Sequence, residues 1–200
     1  MWIATSTAIL ALLSVAFFPL VPAHAVTSGT KPALNPAQLS TITPAIALKN
    51  AAVHVSGHQL VDATGKSVEL IGVDASGTED ACIDGKGFSW GPMDSAEARS
   101  IALWHANSVR VPLNEDCWLG INGVDPKYSG NNYRTQIKRW VSTLNAAGLV
   151  AILDLQWSAP ANVLARSQWP MADADHSVTF WSEVASAFRS DRGVIFDLFS

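Results

Sequence analysis

Charge is scarce in this chain. Only 15% of its 200 residues are Asp, Glu, Lys or Arg, against about 25% in an ordinary soluble domain, and the net charge is −4. The 13 Lys and Arg form no run and no patch. A phosphate backbone is gripped by clustered cations, so the composition speaks against nucleic acid and against electrostatic attachment to an anionic membrane. Cysteine is scarcer still, with only Cys82 and Cys117. They form no Cys-x-x-Cys pair, and no His/Cys spacing suggests zinc, so no metal is expected. The histidines His54, His58, His105 and His176 show no ligand pairing and read as surface or satisfied side chains.

The first 25 residues hold no Asp, Glu, Lys or Arg at all. Residues 8–19 are apolar except for Ser14, and Ala23-His24-Ala25 has the small-x-small pattern of a signal-peptidase site. The apolar run is short for a spanning helix. The expectation is a cleaved signal peptide over 1–25 and a secreted, extracellular product with no membrane contact after cleavage. An uncleaved anchor is the alternative. In an exported chain an even cysteine count reads as a Cys82–Cys117 disulfide, with two buried thiols as the rival. Such a bridge closes a loop of roughly 35 residues, worth about 3–4 kcal/mol by chain entropy. Residues 26–52, rich in Thr, Ser, Pro and Ala, read as a flexible leader, and 53–200 as the folded domain.

Apolar residues make up 48% of the chain, and eight Trp are roughly three times average usage. Around Ser56-Gly57-His58 the pattern predicts a small hairpin. Four apolar segments then read as strands: residues 68–73, 108–113, 148–157 and 193–199. Unbroken apolar runs bounded by turn signals suit strands buried on both faces. Pro112 cannot donate to a ladder, so the second strand is expected to end about there. Helices are expected between the strands. The first is capped by Asp94 or Ser95, with Ala98, Ile101, Ala102 and His105 on one face. The second spans 133–147, striped by Ile137, Trp140, Val141 and Leu144. The third spans 176–189, striped by Val178, Trp181, Val184, Ala185 and Phe188.

Strand and helix alternate, and long polar loops follow each strand. Right-handed crossovers make that a parallel sheet, and the loops fit the first four β/α units of a (β/α)8 barrel. A doubly wound fold is the rival, but no Gly-x-Gly-x-x-Gly or phosphate loop follows the first strand. A complete barrel needs eight strands and about 250 residues, so an α/β half-barrel is expected.

Four blocks carry a family resemblance: Leu70-Ile71-Gly72-Val73-Asp74 with the loop to Cys82; Asn107-Ser108-Val109-Arg110-Val111-Pro112-Leu113-Asn114; Gly148 through Leu153-Asp154-Leu155-Gln156-Trp157; and Val194-Ile195-Phe196-Asp197-Leu198-Phe199-Ser200. In this order and spacing the chain resembles the N-terminal half of glycoside hydrolase family 5, secreted cellulases and mannanases built as (β/α)8 barrels. The resemblance implies a retaining hydrolase of β-1,4-glucan or a related polysaccharide such as mannan. It implies no cofactor and a monomeric parent.

The resemblance also implies where the chemistry sits. The family's fourth strand ends in Asn-Glu-Pro, whose Glu is the acid/base, and its nucleophile Glu lies on the seventh strand. Ser200 stands at or beside that Asn position. Both catalytic carboxyls are therefore expected beyond Ser200, and the 200-residue piece is expected to be inactive alone. Arg110 matches the family's strand-two arginine, which orients and ionises the nucleophile. The other reading is an ion pair with Asp74 or Asp154. Gln156 replaces the His many members carry. It can hydrogen-bond a sugar but cannot titrate. Trp157 lines the cleft or packs in the core.

Asn114-Glu115 follows the second strand, not the fourth, and reads as structural or as substrate rim. Glu79 anchors its loop beside Cys82 or touches the cleft. Trp90, Trp118 and Trp169 stack on sugars or lie buried under loops, and helix positions favour core for Trp104, Trp140 and Trp181. A different class of protein, a non-catalytic secreted carbohydrate-binding protein using the Trp-rich loops, is the competing expectation.

Overall fold

The structure, a computed structural model, describes residues 52–200. The expected signal peptide at 1–25 lies outside the described residues, as does all but the last residue of the expected leader at 26–52. The hairpin is present: β1 (His54–Ser56) pairs antiparallel with β2 (Gln59–Val61). Gly57 turns it at φ +63°, in the left-handed region that favours glycine.

β3 (Gly72–Asp74) follows, then α1 (Ser95–Leu103), β4 (Ser108–Asn114), a short α2 (Glu115–Leu119), α3 (Asn131–Ala146), β5 (Val150–Trp157), α4 (Ser177–Phe188) and β6 (Val194–Asp197). β3 to β6 form one parallel sheet in chain order. Alternation along a strand gives each face its own chemistry. On one face Val109, Val111, Leu113, Ala151, Leu153 and Leu155 are fully buried. They share a core with Ala98 of α1, Ile137, Trp140, Val141 and Leu144 of α3, and Phe180, Val184 and Phe188 of α4. Each buried Leu or Phe contributes about 1.5–3 kcal/mol. Asp74, Arg110, Ile152, Asp154 and Asp197 fall on the other face by register.

The first sheet strand is shorter and later than the apolar run 68–73 predicts. The Asn107 side chain takes the place of a ladder there: its amide donates to Glu69 O at 2.7 Å and accepts from Ile71 N at 2.8 Å. The close approach requires Gly72, where a Cβ would meet Ser108 O at 2.3 Å. β4 does not stop at Pro112 but runs to Asn114. Arg110 O accepts from Ala75 N, so the backbone two residues on faces the same side, past the end of the β3 pairing. No ladder donor is missed there, and the Thr78 hydroxyl donates to Pro112 O.

Asp94 caps α1 through Ala96 N and Glu97 N, and Ala98 and Ala102 are buried. His105 does not join that face. It is exposed at φ +61°, beyond the helix end. On α4 the buried stripe is Ser177, Phe180, Val184 and Phe188, with Trp181 half-buried, while Val178 and Ala185 are exposed. Trp140 is core, but Trp104 is 76% exposed at the α1 C-cap, so its helix position does not bury it.

Candidate active site

Arg110 is the third of the seven residues of β4, and its guanidinium reaches across three strands. Nη1 donates to Asp74 on β3 at 2.7 Å, and Nη2 donates to Asp154 and to Gln156 Oε1 on β5. Both pairings weighed from the sequence, with Asp74 and with Asp154, are therefore made. The Arg110 side chain keeps 24% exposure while that of Asp154 has none. A bulge at Leu113/Asn114 pairs Asn114 with Trp157 and leaves Gln156 without a partner in the ladder. Such bulges re-aim side chains, and Gln156 reaches the same guanidinium as Asp154.

Burial pushes the Asp154 carboxyl up to about 7, with Arg110 working the other way and Asp197 and Asp74 adding to the rise. Its Oδ1 is buried and has no hydrogen-bond partner. Two aspartates, from β3 and β5, thus share one arginine, and the Asp197 charge on β6 acts on Asp154. A cation held so can fix a further carboxylate in place and keep it ionised, and Gln156 retains its Nε2 donors for a hydroxyl.

Asn114 sits at the C-terminal end of β4 and has no free polar atom for a sugar. Its amide donates to Glu79 O at 2.8 Å and Ala165 O at 2.9 Å, and its Oδ1 caps α2 through Cys117 N. It joins the loops after β3 and β5 to the end of β4. The Tyr133 hydroxyl donates to Thr78 O at 2.7 Å from a fully buried ring. The disulfide is made between Cys82 and Cys117 with Cα atoms 6.2 Å apart. Glu79 accepts from Gly77 N at 2.7 Å, and burial raises its carboxyl. That side chain anchors its own loop.

α2 was read as loop in the sequence. Its signals were there: an Asn cap, Glu115 and Asp116 in the first turn, and Gly120 in the left-handed region at φ +71°. Glu115 and Asp116 are fully buried. Asp116 accepts from Ala165 N and Asn122. Glu115 Oε2 accepts the Ser177 hydroxyl at 2.6 Å, and the same hydroxyl lies 2.9 Å from Asp173 Oδ2. Burial pushes Glu115 up to about 8. Burial works to raise Asp173 too, but hydrogen bonds from Glu115, the His176 backbone and Ser177 outweigh it and hold it low. The two carboxyls are thus pushed in opposite directions. His176, which showed no ligand pairing in sequence, places Nδ1 3.8 Å from both Glu115 Oε1 and Asp173 Oδ1.

Among the tryptophans of the loops, Trp118 is buried edge-on to Phe180 and donates to Glu183. Trp90 and Trp169 are 57% and 44% exposed. Trp157 is half-buried, and Ser200 O accepts from the Gln168 amide.

A parallel sheet in chain order, with its polar side chains gathered at the C-terminal ends of the strands, is the first half of a (β/α)8 barrel wall. A family model described as cellulase (glycosyl hydrolase family 5) matches residues 61–199. The chain belongs to glycosyl hydrolase family 5.

Solved structures with the same fold include three of interest. The catalytic domain of Thermobifida fusca endoglucanase Cel5A, in complex with cellotetraose, is 22% identical with a TM-score of 0.52, over 76% of this chain and 44% of that one. A Pyrococcus horikoshii endocellulase, also with cellotetraose, is 20% identical with a TM-score of 0.55, over 74% and 42%. An endogalactoceramidase is 16% identical with a TM-score of 0.57, over 74% and 43%. The chain spans less than half the length of these structures. A comparison with curated proteins gives no match.

Proposed function

We propose that this chain supplies the first four β/α units of a secreted retaining β-glycosidase that cleaves β-1,4-glucan or a related polysaccharide such as mannan. The observation that carries this reading is Arg110, held by Asp74, Asp154 and Gln156 on the polar face of the sheet with its side chain partly exposed. In a retaining mechanism one carboxyl protonates the leaving oxygen and a second, about 5–5.5 Å away, attacks the anomeric carbon. Arg110 orients that second carboxylate and holds it ionised. Gln156 Nε2 and the half-exposed Trp157 meet the sugar, and Asn114 holds the loops behind them. The two catalytic glutamates lie beyond Ser200, so residues 1–200 do not hydrolyse substrate alone. The whole enzyme works as a monomer without a cofactor.

The coding sequence past Ser200 tests this. Glu-Pro directly after it, and a second Glu roughly 80–120 residues on, agrees with four more strand-helix units. A stop codon at that point in the natural gene sinks the enzyme reading for this product.

The exposure of Trp90 and Trp169 favours a second reading, a carbohydrate-binding protein with no catalysis. Cooperative melting of the monomeric chain, together with saturable quenching of tryptophan fluorescence by cellotetraose, would select it.

A further inference from the structure

We propose that Glu115, Asp173 and His176 form a binding site for one divalent transition-metal ion of the Zn2+ class, at the junction of α2 with the loop before α4. One ligand atom from each residue lies within 4.8 Å of the others. The two 3.8 Å separations from His176 Nδ1 to the carboxylate oxygens are too long for hydrogen bonds. They suit a shared ion: donors each about 2.0–2.2 Å from one cation stand about 3–4 Å apart. Nδ1 is buried and has no hydrogen-bond partner, so the atom aimed at both carboxylates has nothing to bind.

The carboxylates are set for the same purpose. The Glu115 side chain has no exposure and that of Asp173 has 5%. The Ser177 hydroxyl lies at hydrogen-bond distance from Glu115 Oε2 and Asp173 Oδ2. Glu115 Oε1 and Asp173 Oδ1 face the imidazole, and Oδ1 is fixed in place by the backbone N–H groups of Asp175 at 2.9 Å and His176 at 2.7 Å. Glu115 Oε1 has only a 3.5 Å approach from Ala159 N. Among the described residues no Lys or Arg pairs with Glu115, Asp116 or Asp173, and the side chain that faces Glu115 and Asp173 is the His176 imidazole. The N-terminal ends of α2 and α4 oppose a cation here. Two carboxylates at contact distance outweigh that. The His176 side chain is 26% exposed, so an ion can enter from solvent.

An imidazole nitrogen with two carboxylates selects a borderline ion such as Zn2+ over Ca2+, which takes oxygen donors. Water would complete the shell. The bound ion would pin the loop over 158–176 to α2 and, through Cys117, to the disulfide.

The test uses the full chain stripped with chelator, titrated calorimetrically with ZnCl2 and separately with CaCl2, and melted with each. Expected are one Zn2+ per chain and a melting point raised by about 5–10 °C when Zn2+ stands at a hundredfold its Kd. His176→Ala, at a partly exposed position, should fold and lose at least the ~100-fold in affinity that even an outer partner of a ligand is worth. Glu115→Gln should lose as much while keeping the near-ultraviolet circular dichroism of the buried Trp118. No Zn2+ uptake by the wild type, equal uptake by His176→Ala, or a melting shift with Ca2+ and none with Zn2+ would each overturn the proposal.

Discussion

Two groups of buried carboxylates lie at the two sides of the β4 end, and they are neutralised in different ways. At the strand ends Asp154 is buried against a guanidinium that also holds Asp74 and Gln156. Behind α2, Glu115 is equally buried but has a neighbouring carboxyl, a serine hydroxyl and an imidazole. Burial raises both carboxyls, to about 7 for Asp154 and to about 8 for Glu115. The fixed cation moderates the first, and nothing of permanent positive charge moderates the second. A buried carboxylate beside an arginine has its countercharge built in. Carboxyls without one either keep a proton or recruit a cation.

The strongest way to break this contrast is to remove the guanidinium. Arg110→Ala leaves Asp154 buried without compensation and should cost about 3 kcal/mol, the low end for a broken buried pair because the arginine is partly exposed. Urea unfolding measures it. A loss no larger than that of a surface substitution would mean Asp154 is not held by Arg110. Asn114→Ala should follow at about 2 kcal/mol, since it strands two buried carbonyls and an N–H at once. Its unfolding midpoint should fall without change in the denaturant slope.

The third prediction concerns pH. The folded Asp154 carboxyl sits near 7 against an ordinary 3.8. Folding then takes up a proton between those values, and stability must fall as pH rises through that window. Asp154→Asn cannot titrate, so it should lack about 1–3 kcal/mol of that decline. Parallel stability curves for the two proteins from pH 4 to 7.5 would contradict the raised carboxyl. The smallest effect is expected at Arg166–Asp84, an exposed pair at 3.9 Å. Arg166→Ala should shift stability by less than about 0.5 kcal/mol, which sets the scale against which Arg110 is read.

Much of this was legible in the chain, and the reasons for the gaps are physical. Amphipathic stripes such as Ile137, Trp140, Val141 and Leu144 declare a helix because they repeat the 3.6-residue period over about two turns. The unbroken run ending at Asp154 declares a strand. Short elements are weaker signals. The five residues of α2 were hidden by polar composition, although Asn114, the two acids and Gly120 form a capped helix. Pro112 was misleading because a proline ends a ladder only on the side where a partner strand exists. Val178 misled because a stripe drawn one residue late still contains apolar side chains. The Arg110 pairings stand in the sequence as alternatives to a site role, and the structure makes both pairs while leaving the side chain partly exposed. His176 was invisible as a partner of Glu115, because nothing local in sequence joins α2 to the start of α4.

The assignment of Arg110 to a retaining glycosidase meets its most direct test in the proton NMR spectrum of cellotetraose. The spectrum is followed during incubation with the longest chain the gene encodes, and separately with the 200-residue chain. The longer chain should release products whose reducing ends appear first as the β anomer, as retention requires, and the 200-residue chain should release none. First appearance of the α anomer, no cleavage by either chain, or cleavage by residues 1–200 alone would contradict it.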